Sequence, residues 1–331
     1  MEPFVPLIRN PHLLTIAGNY WPRPADFQRF PIQARFYETE PGVQVLVHSQ
    51  YQPAQAAGHL VLVHGLEGSS DAGYARSLSH AALEAGFNVH RFNMRSCGGT
   101  EHLSGRVLYH SGQTSDLLFF VRQISGEIPV ILTGFSLGGN VVLKLAGELG
   151  ESAGSPIAGV AAVSTPIDLA ACAKQLLRPS NTLYSRRFLK RLKQRIRTKE
   201  RLTPGLFRLE DLDRVRTIYE FDDLFTAQSF GFGTADNYYA TQSSNQFLDR
   251  IRVPALLVQA KDDPMIPFEV YEHAAFSRNP NLRLIAVDNG GHLGFVAKRK
   301  PRLWLDSVLM EWIQAAIAKE PGNKMARSSV L

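Results

Sequence analysis

The sequence predicts an α/β fold, in which helices flank a mostly parallel central sheet and one helical segment interrupts the alternation. The first observation is that short, nearly continuous apolar runs alternate with helix-length segments along the chain. Such runs are typical of strands buried on both faces, as in a parallel sheet. The second is a stretch from about Ile167 to Asn245 without a convincing strand pattern. The third is the length of 331 residues, which suits one large domain with an insertion.

The first elements of the chain differ from the later ones. Two runs around Ala34–Glu38 and Gln44–His48 are separated by a Pro-Gly pair and predict an antiparallel hairpin at the sheet edge. Helix-length stretches then predict crossover helices that join parallel strands, at Asp71–Ala85, Thr114–Ser125 and Val141–Leu149. The predicted parallel strands are His59–Gly65, Phe87–Asn93, Pro129–Phe135, Gly159–Thr165, Pro254–Lys261 and Leu282–Asp288.

This pattern divides the chain into three predicted parts. Residues 1–166 form the first part of the α/β core, residues 167–245 form a helical cap or lid insertion, and residues 246–331 complete the core. No internal repeat occurs, so a solenoid or propeller is excluded.

Composition and charge exclude several classes of protein. The net charge of +6 is local, because residues 186–201 contain nine Lys/Arg and one Glu and the rest of the chain is slightly acidic. No nucleic-acid-binding motif accompanies this segment, so we expect no nucleic-acid partner. The N-terminus lacks an apolar signal region and no apolar run approaches the length of a membrane span. We therefore expect a cytoplasmic protein without a transmembrane segment.

The two cysteines give no sign of a metal or disulfide site. Cys97 and Cys172 have neither a CxxC partner nor metal-ligand spacing, so we interpret both as reduced structural side chains. No other pattern predicts a metal, and we expect no cofactor.

Two stretches match Gly-x-Ser-x-Gly, a pattern often found around the nucleophile of serine hydrolases. GFSLGG places Ser136 directly after the strand PVILTGF and before the helix VVLKLAGEL, which is the strand–turn–helix context that a nucleophile elbow requires. GESAG places Ser152 after that helix, where Gly150 can act as a C-cap, so it predicts a surface turn. Ser136 is therefore the candidate nucleophile.

A serine hydroxyl needs a base, and the base needs an orienting acid. Only two histidines, His273 and His292, lie beyond the strand Pro254–Lys261. His273 falls in the apparently helical FEVYEHAAF and is interpreted as structural, whereas His292 follows the last strand across two glycines and is the candidate base. Asp262 and Asp263 both end the preceding strand; we choose Asp263 as the acid, because it directly precedes the turn at Pro264.

The oxyanion of an acyl-transfer reaction needs two backbone donors. One expected donor is the amide of Leu137, the residue after the nucleophile. The other is the amide of Leu66, in the glycine-rich HGLEG that follows the first parallel strand.

These motifs together resemble a known family. VLVHGLEGSSDAGYARSL, NMRSCGGT, GFSLGGN and AKDDPMIP…GGHLGF are similar to the YheT/EMB8-type branch of the α/β-hydrolases, which includes the mammalian ABHD1/ABHD3-like enzymes. The resemblance spans about Arg9 to Trp312. It implies an α/β-hydrolase fold, a triad of Ser136, Asp263 and His292, and hydrolysis of carboxylic esters, with lipid esters used by some eukaryotic members. It departs from the family at Ser96, where glycine is usual, and the membrane anchor of animal members is not carried over.

The predicted activity is that of a serine esterase acting on a small-molecule ester or a lipid ester. Acyl transfer or phospholipid cleavage by the same triad is one alternative. A non-catalytic binding protein on a hydrolase fold is the other, because a fold alone does not determine function. The residues that bind substrate and the oligomeric state cannot be read from the sequence, although a monomer is favoured.

The basic segment 186–201 predicts an amphipathic helix. Phe188, Leu192 and Ile196 recur every four residues and form a thin apolar stripe. One interpretation is a cap helix that packs this stripe on the core and leaves its charges solvated. The other is a helix that makes weak contact with an anionic membrane surface or attracts an acidic substrate.

Overall fold

The computed structural model describes residues 3–24, 27–105, 108–150 and 155–318. An eight-stranded sheet occupies the centre of the molecule. Its strands are β1 (Gln33–Glu40), β2 (Val43–Gln50), β3 (His59–Val63), β4 (Asn88–Phe92), β5 (Val130–Phe135), β6 (Gly159–Val163), β7 (Ala255–Ala260) and β8 (Leu282–Val287).

The strand order is β1-β2-β4-β3-β5-β6-β7-β8. The hairpin β1–β2 is antiparallel and joins β4 in antiparallel register, while every later pairing is parallel. β3 and β5 are neighbours in the middle of the sheet, with Val63 opposite Gly134. The loops that follow these two strands therefore meet at one edge of the sheet.

Helices cover both faces of this sheet. They are α1 (Pro11–Tyr20), α2 (Gly73–Glu84), α3 (Ser115–Ile124), α4 (Leu137–Leu149), α5 (Leu169–Gln175), α6 (Thr182–Leu202), α7 (Asp211–Arg214), α8 (Ile218–Phe221), α9 (Ala227–Ser229), α10 (Ala235–Gln242), α11 (Ala275–Arg278) and α12 (Trp304–Ala318).

The apolar side chains of the sheet divide between two cores. Residues such as Val61 and Leu132 pack with α3 and α4 on one face. Their chain neighbours, Leu62 and Ile131, pack with α2 and α12 on the other. This alternation explains why the strands are continuously apolar, because a strand with helices on both sides has no solvent face.

The segment between β6 and β7, called the cap below, contains only helices and turns. They run from α5 to α10, with a π-helical turn at Asp222–Thr226 and a 3₁₀ segment at Ser244–Arg250. Part of this region forms an apolar cluster of its own, in which Leu192 and Ile196 of α6 pack with Ile218 and Phe221 of α8. The absence of strands agrees with the predicted insertion, and its boundaries at 167 and 245 stay predictions.

The predicted strands, hairpin and crossover helices are confirmed as elements of this fold. One local prediction was wrong: His273 does not lie inside a helix, because a 3₁₀ turn ends at Tyr271 and α11 begins only at Ala275. Ser152 lies outside the described residues, although Gly150 does end α4 as its C-cap. Both cysteines are free and buried.

Among the helices of the described ranges, none combines the length and the apolar character needed to cross a bilayer. The same residues contain no group of three or more His, Cys, Asp or Glu placed to hold a metal ion.

Candidate active site

Ser136 lies between the end of β5 and the start of α4. Its backbone has φ 52° and ψ −122°, a region that residues other than glycine rarely adopt. A hydrogen bond of 2.8 Å from its amide to the Val163 carbonyl anchors this turn to the neighbouring strand β6. Because a strained backbone persists only when its surroundings hold it, this turn is a candidate functional position.

The glycines around Ser136 allow the strand and the helix to cross at close range. A Cβ atom on Gly138 would collide with the carbonyl oxygens of Val63 and His64, and one on Gly134 would collide with the carbonyl of Gly138. Any side chain at these positions would push α4 away from β5 and β3. The short separation keeps the first turn of α4, which begins at Leu137, next to the serine.

The structure brings the three predicted side chains together. His292 Nε2 lies 3.0 Å from Ser136 Oγ, and His292 Nδ1 lies 2.9 Å from Asp263 Oδ2. Because a carboxylate can only accept, Nδ1 donates to Asp263 and Nε2 is left to accept the serine proton. These distances match what the sequence predicts for a nucleophile, a base and an orienting acid.

Asp263 is held in place on its other side. Its Oδ1 accepts the amides of Met265 at 2.8 Å and Ile266 at 3.1 Å, and Gln259 Nε2 donates to its Oδ2 at 3.3 Å. The side chain of Asp263 is fully buried. These donors fix the position of the carboxylate away from solvent.

The neighbouring Asp262 has a different set of contacts. Its Oδ1 accepts the amides of Gly290 at 2.8 Å and Gly291 at 2.9 Å, and Asn289 Nδ2 donates to its Oδ2 at 3.1 Å. Asp262 therefore holds the turn that leads to His292, whereas Asp263 contacts the imidazole itself.

The loop after β3 lies against Ser136. A Cβ atom on Gly65 would be 3.1 Å from the Ser136 Cβ. The amide of Gly65 donates to Tyr74 Oη at 3.0 Å, and that of Glu67 donates to Tyr109 Oη at 2.9 Å. Within the described residues no acceptor pairs with the intervening Leu66 amide or with that of Leu137, so both are available to a ligand.

His64 is a second histidine near this loop, but its contacts are those of a structural residue. Its Nδ1 donates to the Gly65 carbonyl at 2.8 Å, and the Met94 amide donates to its Nε2 at 3.2 Å. Complete burial lowers its pKa to about 4. A neutral imidazole with both nitrogens occupied is not a candidate for the base; it supports the loop that carries Leu66.

The N-terminal helix α1 was not recognised from the sequence as part of the site. Thr15 Oγ1 accepts the amide of His292 at 2.9 Å and donates to the Pro11 carbonyl at 2.7 Å. Gly294, on the same loop as His292, has no room for a Cβ atom against the Leu14 carbonyl. No motif marks Thr15, because its role depends on a contact 277 residues away along the chain.

The basic segment lies in one helix, α6, and the interpretation that its charges are solvated was wrong at two of them, Arg195 and Lys199. Arg195 is buried and forms a bidentate ion pair with Glu67, at 2.8 Å and 3.1 Å. Lys199 is also buried, and its Nζ donates to the carbonyls of Glu101 at 2.8 Å and Gly105 at 3.0 Å. These two cations attach the cap to the core.

The Arg195–Glu67 pair lies directly beside the proposed oxyanion donor. Glu67 follows Leu66 in the chain and has a positive φ of 54°. Tyr109 Oη donates to the Glu67 carboxylate at 2.9 Å, and Arg191 Nη1 donates to the Glu67 carbonyl at 3.1 Å. Cap helix α6 therefore holds both the side chain and the backbone of the residue next to Leu66.

Ser136 and His292 line two cavities. The inner cavity has about 910 Å³ of empty space, including the part open to solvent, and lies between the core and the cap. Its wall is mainly apolar and includes Leu108, Leu169, Leu176, Leu192, Ile218 and Phe221. The outer cavity lies between α1 and α6 and includes Ile16, Tyr20, Arg187, Lys190, Arg191 and Arg197.

Comparison with known proteins relates this chain to the α/β-hydrolase fold. A family model described as the alpha/beta hydrolase fold matches residues 58–298. The Escherichia coli protein named "Putative esterase YheT" is 34% identical over 94% of this chain and 92% of its own length. Mouse phospholipase ABHD3 is 29% identical over 83% of this chain and 67% of its own length.

A solved structure shares the fold. The Pyrococcus furiosus esterase Pf2001 superposes with a TM-score of 0.57 over 89% of this chain and 98% of that one, at 17% identity. At this identity the similarity concerns the fold alone.

Proposed function

The chain belongs to the α/β-hydrolase fold family, in the branch that contains YheT and the ABHD3-type proteins, and from this premise we propose that it is a serine esterase. The observation that carries the proposal is the hydrogen-bonded series Asp263–His292–Ser136 at a strained turn beside two unpaired backbone amides. A Ser-Asp-His triad requires such a series, with the three residues in the chain order serine, aspartate, histidine.

In the proposed reaction, Ser136 Oγ attacks the ester carbonyl carbon while His292 Nε2 takes the hydroxyl proton. The tetrahedral intermediate collapses, the alcohol leaves with that proton, and the acyl group stays on Ser136. Water then attacks the acyl-enzyme with His292 again as base, and the carboxylic acid is released. Asp263 keeps the imidazole in the tautomer that can accept at Nε2 and stabilises the imidazolium that forms.

The amides of Leu66 and Leu137 are the proposed oxyanion donors. Both belong to backbone segments that are held by other contacts, so they need little reorganisation as negative charge develops. The start of α4 at Leu137 adds the positive end of the helix dipole.

The two cavities support a substrate with an apolar acyl chain. The inner cavity offers a mainly apolar wall next to Ser136, which suits the acyl group. The outer cavity also reaches Ser136 and has a more polar lining than the inner one, with Arg187, Lys190 and Arg191 among its residues, which suits the alcohol part. The phospholipase name of a relative favours a lipid ester as the physiological substrate.

A hydrolysis screen tests this proposal. We expect turnover of p-nitrophenyl esters that changes with acyl-chain length, and covalent labelling of Ser136 by a fluorophosphonate probe. Mass spectrometry of the labelled peptide identifies the modified residue, and Ser136→Ala serves as the control. A folded protein that neither hydrolyses the esters nor reacts with the probe would support a binding protein instead.

Acyl transfer is measured in the same assay. When a short alcohol is added, a hydrolase releases the free acid, whereas a transferase diverts the acyl group to a new ester. The ratio of acid to new ester measures how far the acyl-enzyme prefers water over the alcohol.

A further inference from the structure

The exposed face of α1 is apolar, which is unusual for a surface helix. Leu13, Ile16 and Tyr20 are 54%, 48% and 72% exposed. Their spacing of three and four residues places them on one side of the helix. The opposite side, with Leu14 and Thr15, is buried against the loop that carries His292.

The start of α6 lies beside this helix and also exposes an apolar side chain. His12 Nδ1 of α1 lies 3.2 Å from Tyr184 Oη of α6, and the two rings stack with centroids 5.7 Å apart. Leu183, the residue before Tyr184, is 76% exposed. Apolar side chains on two neighbouring helices are therefore open to solvent.

Cations of α6 lie next to these apolar side chains. Arg187, Lys190 and Arg197 line the outer cavity together with Ile16 and Tyr20 of α1. Each of the three is exposed, and within the described ranges none has a carboxylate partner. They differ from Arg195 of the same helix, whose charge is neutralised by Glu67. Three unpaired positive charges of α6 therefore lie along the cavity that reaches Ser136.

We propose that these residues form a docking surface for an anionic lipid bilayer. The docking surface consists of the apolar Leu13, Ile16, Tyr20 and Leu183 and the cationic Arg187, Lys190 and Arg197. The apolar side chains would enter the interfacial region of the bilayer while the cations contact anionic headgroups, as in other helices that lie on membranes. The charge complementarity favours a lipid surface over an uncharged apolar partner.

Docking in this orientation would deliver a lipid ester directly to the outer cavity. The inference rests on the proposed esterase function, because it assigns the source of the substrate to the same site. Binding to a bilayer can be tested separately from esterase activity, since binding needs no intact nucleophile. Ser136→Ala should therefore bind vesicles as well as the unchanged protein does.

Vesicle binding tests the docking surface. The protein is sedimented with phosphatidylcholine vesicles that contain or lack phosphatidylserine, at low and at high salt. We expect binding to the anionic vesicles that weakens several-fold as salt is raised, because screening shortens the reach of exposed charges to about 8 Å at 0.15 M. Equal binding with and without phosphatidylserine would overturn the proposal.

Tryptophan fluorescence gives a second, local measurement. Trp21 is the C-cap residue of α1 and is only half-buried, whereas Trp304 and Trp312 are buried. Docking should shift the emission of Trp21 to shorter wavelength, and Trp21→Phe should remove this shift. An emission unchanged by anionic vesicles at low salt would contradict docking through α1.

Two matched double variants distinguish loss of the docking surface from a general effect of substitution. Leu13→Asn combined with Leu183→Asn should lower vesicle affinity at least 10-fold and leave turnover of soluble short-chain esters unchanged. Ile32→Asn combined with Phe36→Asn changes two residues of similar exposure at the β1 edge and should leave binding unchanged. Equal loss of binding in both double variants would overturn the proposal.

Two further double variants test the cations of the docking surface. Lys190→Gln with Arg197→Gln should weaken binding at low salt, while Arg122→Gln with Arg283→Gln, on α3 and β8, should not. If sedimentation velocity instead shows a dimer that Leu13→Asn dissociates, the surface is an interface between two copies and the lipid proposal fails. Vesicle binding without any ester turnover would leave the surface standing and remove the esterase function.

Discussion

The carboxyl edge of the sheet and the cap that covers it contribute to the same site in different ways. At the sheet edge, turns after β5, β7 and β8 position Ser136, Asp263 and His292 with hydrogen bonds of 2.9 Å and 3.0 Å. In the cap, helices supply apolar walls such as Leu192 and Ile218 by packing alone.

This difference has a consequence for mutation. Directional hydrogen bonds at the sheet edge depend on single atoms, so a change there should affect every ester alike. Packing in the cap is less directional and tolerates substitutions of similar volume, so changes there should depend on the ester. Arg195 belongs to the cap but contacts the loop at the sheet edge. Its substitution therefore tests whether a cap residue can also affect every ester alike.

The largest effect is expected at the nucleophile. Ser136→Ala should lower kcat by on the order of 10⁶-fold, and His292→Ala by a similar factor, because members of a triad act as a unit. Steady-state hydrolysis of a soluble ester measures both. Ser152→Ala, in the second Gly-x-Ser-x-Gly match, should leave turnover nearly unchanged, and comparable losses at both serines would contradict the assignment.

The next effect separates the adjacent acids. Asp263→Asn should lower kcat by on the order of 10⁴-fold, because the amide no longer selects the productive tautomer of His292. Asp262→Asn should cost far less, since Asp262 only holds the turn at Gly290 and Gly291. The reverse ranking would move the acid by one residue.

A smaller effect is expected at the contact between the cap and the sheet edge. Arg195→Met should lower kcat about 10- to 100-fold with little change in KM, because the Leu66 amide loses its support while the substrate walls remain. Arg195→Lys should restore part of the rate.

Stability must be measured alongside this variant, because Arg195→Met leaves Glu67 buried without its partner. Removing one member of a buried pair destabilises by about 3–5 kcal/mol. The double variant Arg195→Met, Glu67→Gln should recover much of that stability without recovering kcat. Full recovery of both would show that the pair is only structural.

The smallest effect is expected inside the cap. Asp222 accepts hydrogen bonds of 2.7 Å from Thr226 Oγ1 and Tyr239 Oη, and burial raises its pKa to about 6. An acid with a raised folded-state pKa binds its proton more tightly when folded, so its contribution to stability falls as pH rises from about 4 to about 6.

Asp222→Asn removes this titration. Relative to the unchanged protein, the free energy of unfolding of the variant should therefore rise by on the order of 1–2 kcal/mol between about pH 4 and about pH 7. Urea denaturation at the two pH values measures the difference. If the variant and the unchanged protein differ by the same free energy of unfolding at both pH values, Asp222 does not titrate in this range.

Much of the fold and part of the candidate site follow from the sequence, because they depend on contiguous residues. Strand runs, crossover helices and the strand–turn–helix context of Ser136 are local patterns of hydropathy and glycine placement. Family membership follows from the same motifs and is confirmed. The catalytic roles of Ser136, Asp263 and His292 stay predictions, with side chains within hydrogen-bond distance of one another.

Tertiary structure alone decided which polar side chains point inward. The periodicity of α6 predicts its apolar stripe, yet nothing in it marks Arg195 and Lys199 as buried, because their acceptors lie 128 and 98 residues away in the chain. The support of His292 by Thr15 and the apolar outer face of α1 have the same origin. A local pattern specifies the period of a helix, whereas the direction in which each face packs depends on segments that are distant in sequence.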